Sequence, residues 1–126
     1  MNKPGCPFCE HSPSDTLCSS DTGFAFLDPF PVTEGHTLVV PHRHVASLYE
    51  LSPADQAELH AMVAEVRTLL MRRYGTTDFN IGINDGVAAG QTVPHAHIHV
   101  IPRRRGDVAD PKGGVRWVIP EKAKYW

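Results

Sequence analysis

Residues 91–103 read QTVPHAHIHVIPR and decide how this chain folds. Three histidines recur there at every second position, separated and followed by apolar residues: His95, His97 and His99. Successive side chains of an extended strand point to opposite faces, so this spacing places three imidazoles on one face and apolar groups on the other. A helix would scatter the same rings around its axis. The pattern therefore predicts a strand that packs on a core with one face and carries chemistry on the other.

The composition is typical of one ordinary globular domain. The 126 residues are 41% hydrophobic and 21% charged, enough to bury a core. A net charge of −2 argues against binding to a nucleic acid polymer or an anionic membrane, and no apolar run is long enough to span a bilayer. The start lacks the apolar stretch of a secretory signal, and three cysteines, an odd number, favour a reducing compartment. We therefore expect a cytoplasmic protein without a membrane partner.

Hydrophobic periodicity and turn residues predict an α+β domain. A long helix is expected to begin after Ser52, a good N-cap, and to end at Gly75, with an apolar stripe at 3.6-residue spacing. A short helical turn is expected over residues 45–51. A C-terminal tail is expected over residues 104–126, of which residues 106–116, GDVADPKGGVR, are loop-like. We expect one domain, 1–126, that begins with a loop over residues 1–15. Five strands are predicted, at residues 16–20, 24–28, 36–41, 78–84 and 95–101.

Three histidines on one strand face fit two kinds of chemistry. In one, His97 and His99 are ligands of a catalytic metal that a further side chain completes. In the other, a neutral imidazole attacks phosphorus and forms a covalent intermediate, while a neighbouring imidazole and nearby donors stabilise the developing charge. Gln91 and Thr92 follow a glycine-bearing loop, residues 85–90, whose N–H groups can turn towards a phosphate. The residues alone leave both chemistries open.

A second motif, Cys6-Pro-Phe-Cys9, lies in the proline-rich start of the chain. Its C-x-x-C spacing is typical of a tight turn that binds zinc, and equally of a redox pair. A zinc site would need two more ligands from elsewhere in the chain.

Together these motifs resemble the histidine triad (HIT) superfamily, whose hallmark is His-x-His-x-His followed by apolar residues. The hallmark is matched by HAHIHVI, and the likeness extends to GHTLVVP, FLD, NDG, GQTV and the CPFC start, so that it covers about residues 6–107. The resemblance implies the HIT fold, a five-stranded antiparallel sheet with one long and one short helix. It also implies a homodimer with a continuous core, in which Trp117 and Trp126 reach the partner subunit.

The resemblance also assigns roles to individual residues. His97 matches the nucleophile that attacks the α-phosphate of a nucleotide and becomes nucleotidylated. His99 matches the histidine that contacts the phosphate and helps to protonate the leaving group, and His36 matches its supporting histidine. Asp28 matches the residue that holds the ribose hydroxyls. The other matches are Phe8, Phe26 and Pro29 around the base, and Asn84, Gly90, Gln91 and Thr92 around the phosphates, the last two with a catalytic role.

Bacterial members with a C-x-x-C start bind a structural zinc ion, and the resemblance implies the same here. Its ligands would be Cys6, Cys9, His44 and His95, with His42 as a rival to His44. Neither Cys18 nor His11 has a role in this scheme.

The resemblance implies a nucleotide hydrolase or transferase that acts on a purine nucleotide. The run DGxxAGQTVxHxHxHVIPRxxGD is similar to Fhit-type hydrolases, which split dinucleoside polyphosphates of the Ap3A or Ap4A type and release AMP. The zinc-type start is instead similar to Hint-type enzymes, which hydrolyse nucleoside phosphoramidates. A metal-dependent hydrolase and a non-catalytic nucleotide-binding module are the remaining alternatives.

Overall fold

The computed structural model describes residues 3–126 and has the predicted α+β architecture. The strands form one antiparallel sheet in the order β1-β2-β3-β5-β4. A five-stranded antiparallel sheet with one long helix is thus confirmed; residues 1 and 2 of the expected domain lie outside the described range. The elements are β1 (Thr16–Ser19), β2 (Gly23–Leu27), β3 (Thr37–Pro41), α1 (Pro53–Tyr74), β4 (Asp78–Gly82), β5 (Ile98–Arg103) and α2 (Pro120–Ala123).

Both ends of α1 follow from local chemistry. The Ser52 hydroxyl accepts a hydrogen bond from the Asp55 N–H at 3.1 Å, and Pro53 is the first helical residue. At the other end Gly75 adopts φ 74°, and its N–H donates to the Met71 carbonyl. One stripe of α1 is buried against one face of the sheet. That core contains Leu59, Met62, Val63, Val66 and Leu70 of the helix with Ala25, Val39, Ala96, Ile98 and Val100 of the sheet side.

The opposite face of the sheet is covered by the N-terminal loop. Phe24 and Phe26 of β2 and Leu38 and Val40 of β3 form a second buried cluster there with Cys6 and Phe8. His99 lies directly opposite Leu38 in the β3–β5 pair, and directly paired residues share a face. The alternating histidines and the N-terminal loop therefore occupy the same side of the sheet, away from α1.

The strand that carries the histidines begins later than predicted. It starts at Ile98 and not at residue 95, so the prediction was wrong at this end. The Ala96 N–H donates to the Val45 carbonyl at 2.7 Å instead of to a strand, and β4 already ends at Gly82, opposite His99. The alternation of faces nevertheless continues: His95 and His97 are buried on the loop side, and Ala96 is buried on the helix side.

Two further predictions need correction. The turn expected over residues 45–51 is only a 3-10 turn, Leu48–Glu50, closed by reciprocal hydrogen bonds between Ser47 and Glu50. The part of the tail expected to be loop-like, residues 106–116, ends in a 3-10 turn, Gly114–Val118, which the short helix α2 follows. The Arg116 guanidinium donates to the carbonyls of Lys122 and Ala123 and ties these two elements together.

Gly35 brings the start of β3 close to the end of α1. It adopts φ 93°, and a Cβ atom there would lie 2.8 Å from the Tyr74 ring and 3.2 Å from Pro102. Only glycine fits such a position, since the conformation is strained for other residues and the space is filled. The next residue along the chain is His36.

Within residues 3–126, no helix combines the length and the apolar character that a membrane crossing requires.

Candidate active site

Two histidines from neighbouring strands form a hydrogen-bonded pair. Nε2 of His36 lies 2.9 Å from Nδ1 of His99. The Val32 N–H donates to Nδ1 of His36 at 3.1 Å, so the proton of this neutral ring is on Nε2. His36 therefore donates to Nδ1 of His99, and His99 carries its own proton on Nε2. The pair thus presents one free N–H donor, on His99.

Asp28 stands behind this pair. One of its carboxylate oxygens accepts a hydrogen bond from the Phe30 N–H at 2.8 Å, and the other lies 3.5 Å from Nε2 of His36. Burial lowers the pKa of His36, against the opposing effect of Asp28. Burial, helped by the neighbouring rings of His97 and His36, lowers the pKa of His99 to about 4. Both rings are therefore neutral near pH 7.

His97 has the opposite tautomer. Its Nδ1 lies 2.8 Å from the backbone carbonyl oxygen of His95, which can only accept, so Nδ1 carries the proton and Nε2 keeps a lone pair. The ring is buried and stands 5.1 Å from the His99 ring and 5.1 Å, edge on, from Phe8. A nucleophilic nitrogen and an N–H donor are therefore side by side, the arrangement that attack on phosphorus requires.

Four residues beside this pair could hold a metal ion: Cys6, Cys9, His44 and His95. Nδ1 of His95 lies 3.4 Å and 3.5 Å from the two sulfurs and 3.2 Å from Nδ1 of His44, which is 3.3 Å from Cys9. A tetrahedral zinc ion with bonds of about 2.0–2.3 Å holds its ligand atoms roughly 3.3–3.8 Å apart. The four donor atoms therefore fit such an ion in identity and in spacing.

Secondary contacts orient this donor set. The Nε2–H of His95 donates to the Pro41 carbonyl at 2.8 Å, which leaves Nδ1 as the ligand atom. The Cys9 N–H points at the Cys6 sulfur at 3.4 Å. The rival residue His42 lies apart from the group, because its ring stacks on Phe24 and its Nε2–H donates to the Ser20 carbonyl.

A second group, Asp28, His36 and His99, also brings three candidate ligand atoms together. The tautomers argue against a metal there, because His36 holds a proton on Nε2 and accepts from Val32 on Nδ1 and so has no free lone pair. Within residues 3–126, His97 belongs to neither metal-capable group. The alternative with His97 and His99 as metal ligands therefore finds no support in this geometry.

Gln91 braces the glycine loop. Its amide nitrogen donates to the carbonyls of Ala46 and Val93 at 2.8 and 3.0 Å, and its amide oxygen accepts from the Gly86 N–H at 2.9 Å. Gly90, at φ 99°, donates its N–H to Val87, also inside the loop. Several N–H groups that were expected to face a phosphate thus donate hydrogen bonds to acceptors inside the loop. The side chain of Thr92 is exposed.

The aromatic residues expected around the base lie next to His97, but their rings are in contact with each other. Phe8 and Phe26 are both buried and meet edge to face, with ring centroids 5.7 Å apart and planes at 64°. Such a pair leaves no slot for a base between the two rings. Pro29 is exposed and Asn84 is half-buried.

Sequence reasoning missed three functional contacts because backbone atoms make them. These are the Val32 N–H on His36, the His95 carbonyl on His97 and the Pro41 carbonyl on His95. A main-chain group has no residue signature, so no sequence motif could have indicated them.

A five-stranded antiparallel sheet with one long helix and alternating histidines on the face away from that helix defines the histidine triad class of protein. The sequence profile of the HIT domain matches residues 10–106. The chain belongs to the HIT domain family.

Several known proteins are similar to it. The bis(5'-nucleosyl)-tetraphosphatase [asymmetrical] of Schizosaccharomyces pombe is 42% identical over 86 residues, 68% of this chain and 47% of that protein. The adenosine 5'-monophosphoramidase of the same yeast is 32% identical over 127 residues, 94% of this chain and 90% of that protein. A Zn-bound histidine triad family protein from Mycobacterium smegmatis shares 35% identity at a TM-score of 0.75, over 84% of this chain and 80% of that one. The chain spans only 21%, 47% and 54% of three of the curated relatives it matches.

Proposed function

We propose that this protein is a nucleotide hydrolase or transferase that acts on the α-phosphate of a nucleoside phosphate ester or amide. The observation that carries the proposal is the hydrogen bond from Nδ1–H of His97 to the His95 carbonyl, which frees the Nε2 lone pair for attack. Nε2 forms a bond to phosphorus, and the bond from phosphorus to the leaving group breaks. Water then attacks the nucleotidyl-histidine, releases a nucleoside monophosphate and restores the imidazole. The proton that the water loses replaces the proton that the leaving group took up.

The neighbouring residues have supporting roles. The Nε2–H of His99 donates to the phosphate or to the departing atom, and His36 fixes the tautomer of His99 through the 2.9 Å hydrogen bond. Asp28 binds the ribose. Thr92 and Asn84 contact the phosphates beside the loop that contains Gly90, and Gln91 braces this loop. Phe8, Phe26 and Pro29 form the surroundings of the base.

The favoured substrate is a dinucleoside polyphosphate of the Ap3A or Ap4A type, with AMP as a product. The 42% identity to a yeast tetraphosphatase supports this choice. A nucleoside phosphoramidate is the second candidate, because the yeast phosphoramidase matches along 90% of its own length. Both readings imply a purine nucleotide as the ligand.

We also propose that Cys6, Cys9, His44 and His95 bind a structural zinc ion. The spacing and the chemistry of the donors support it, and a Zn-bound structural neighbour is similar to this chain. Four protein ligands leave no open position, so the ion would cross-link the N-terminal loop to the segment before β5 and take no part in the reaction.

A substrate panel tests the proposal: Ap3A, Ap4A, an adenosine phosphoramidate and lysyl-AMP, compared by kcat/KM. Mass spectrometry of quenched reactions is expected to show an AMP adduct on the wild type and none on His97→Ala. Tight AMP binding without turnover of any substrate would instead favour a non-catalytic nucleotide-binding module. A rate that disappears on chelation while the protein stays folded would favour a metal-dependent hydrolase.

A further inference from the structure

His11 lies flat on the aromatic side chains of β2. Its ring stacks on Phe26 with centroids 4.0 Å apart and planes at 28°, and on Phe24 at 5.3 Å and 24°. Phe24 and Phe26 point to the same face of the strand, so the imidazole forms a second layer parallel to theirs. A nucleobase adopts the same parallel arrangement on an aromatic side chain.

The polar edge of this imidazole has no partner. Nε2 of His11 is buried, and within residues 3–126 it is the only buried side-chain nitrogen or oxygen without a hydrogen bond. Buried polar groups in native proteins are nearly always satisfied, so an exception calls for an explanation. Phenylalanine would stack on Phe26 equally well and would leave nothing unsatisfied.

The layer that holds His11 is connected to the reaction centre by direct contacts. Phe26 meets Phe8, and Phe8 meets His97 at 5.1 Å. The predicted base-binding rings, Phe8 and Phe26, have no slot between them, so a base must enter the layer above Phe26. Because the His11 ring covers Phe26 at 4.0 Å, a base that stacks on Phe26 has to displace this ring sideways, and Nε2 of His11 then faces the edge of the base.

We propose that His11 is a specificity-determining residue whose ring nitrogen hydrogen-bonds to the edge of the nucleobase in the layer above Phe26. The inference rests on the proposed function, in which a nucleotide binds with its α-phosphate at His97. The base supplies the missing partner of Nε2 and stacks on the aromatic floor. Nε2 of a neutral imidazole either donates or accepts, according to the tautomer, so with one tautomer held in the folded protein it favours the base whose edge carries the complementary group.

AMP and IMP are the matched probes. Adenine has a donor at its 6-amino group and an acceptor at N1, whereas hypoxanthine has an acceptor at its 6-oxo group and a donor at N1. Binding of both to the zinc-replete protein is measured by calorimetry, which needs no turnover. The wild type is expected to bind one of the two about tenfold more tightly, in line with one hydrogen bond to a base. His11→Phe keeps the stacking ring and is expected to bring the two Kd values to within about threefold of each other.

His11→Gln retains a donor and an acceptor and is expected to keep part of the preference. His60→Phe is the control, because His60 is exposed on α1, on the other side of the sheet. Equal wild-type affinity for AMP and IMP, or an unchanged ratio in a folded His11→Phe variant, overturns the proposal. Should His11→Phe fail to fold, loss of the preference in His11→Ala decides in the same way. A wild type that binds AMP but hydrolyses nothing refutes the proposed function and leaves the test of His11 intact.

Discussion

The backbone carbonyl of His95 accepts a hydrogen bond from Nδ1 of His97 at 2.8 Å, while the side chain of His95 belongs to the metal-capable group. One residue therefore contacts the candidate nucleophile with its main chain and the candidate metal with its ring. Phe8 adds a second link, because it lies between the two cysteines in sequence and packs against both His95 and His97. The metal-capable group and the reaction centre are joined by direct contacts.

Replacing His97 with alanine is expected to reduce kcat by roughly a thousandfold or more, because no other side chain supplies the Nε2 lone pair. Turnover of Ap4A and of an adenosine phosphoramidate measures the loss. The control is His60→Ala on the exposed face of α1, which should retain the wild-type rate. An active His97→Ala variant would disprove covalent catalysis by this residue.

Removing a proposed zinc ligand is expected to destabilise the N-terminal loop. His44→Ala should lose bound zinc, measured by plasma mass spectrometry, and should lower the free energy of unfolding by roughly 3 kcal/mol or more. His42→Ala is the matched control, since His42 lies two residues away but outside the donor group. Equal zinc content in the two variants would contradict the assignment of the ligands.

Gln91→Ala is expected to loosen the loop that precedes the histidines. The change leaves the Ala46 and Val93 carbonyls and the Gly86 N–H without this partner, at a cost of about 0.5–1.5 kcal/mol in unfolding free energy, because water can reach most of these groups. Urea unfolding measures it, and Thr92→Ala, at an exposed neighbouring site, should cost much less. A Gln91→Ala protein of normal stability but low kcat would instead show that the amide acts on the substrate directly.

The protein is expected to lose stability as the pH falls below about 6.5. The pKa of His99 is lowered from 6.5 to about 4, and that of His36 is also lowered. Between pH 6.5 and about 4 the unfolded chain binds a proton at His99 that the folded chain excludes. The free energy of unfolding therefore decreases as the pH falls through this range. Urea unfolding at pH 7.5, 6 and 5 measures the slope. His99→Asn at equal zinc content should show a shallower slope, and an identical slope would refute this origin.

A homodimer is expected in solution. The tail exposes a group of apolar side chains that a partner subunit could cover: Val115, Trp117, Val118, Ile119 and Trp126. Size-exclusion chromatography with light scattering measures the mass, and Val118→Asp should shift it towards the monomer. A monomeric wild type at micromolar concentration would contradict the expectation.

The sequence predicted best those features that depend on local chemistry. The bounds of α1 follow from Ser52, Pro53 and Gly75, each of which acts within one helical turn. The alternation of Ala96, Ile98 and Val100 correctly predicted which side of the segment faces the helix, because burial follows the strand period even where the regular strand has ended.

The features it missed depend on distant groups. The first residue of β5 is set by the Val45 carbonyl and by the end of β4, neither of which lies near the histidines in sequence. In the tail, the Arg116 guanidinium donates to the carbonyls of Lys122 and Ala123 in α2, a contact that the hydrophobic periodicity of the sequence does not predict. The tautomers of His36 and His97 likewise depend on backbone atoms whose positions only the tertiary fold defines.

Gly35 has a consequence for how this protein can be altered. Because the Tyr74 ring at the end of α1 fills the space that a Cβ atom would need, the helix end lies directly behind the residue that precedes His36. Enlarging residue 35 would push either the helix outwards or His36 forwards, towards His99. Because Gly35 directly precedes His36, a bulkier residue at position 35 is expected to disturb the hydrogen bond between His36 and His99 from the end of α1, which is distant from both histidines in sequence.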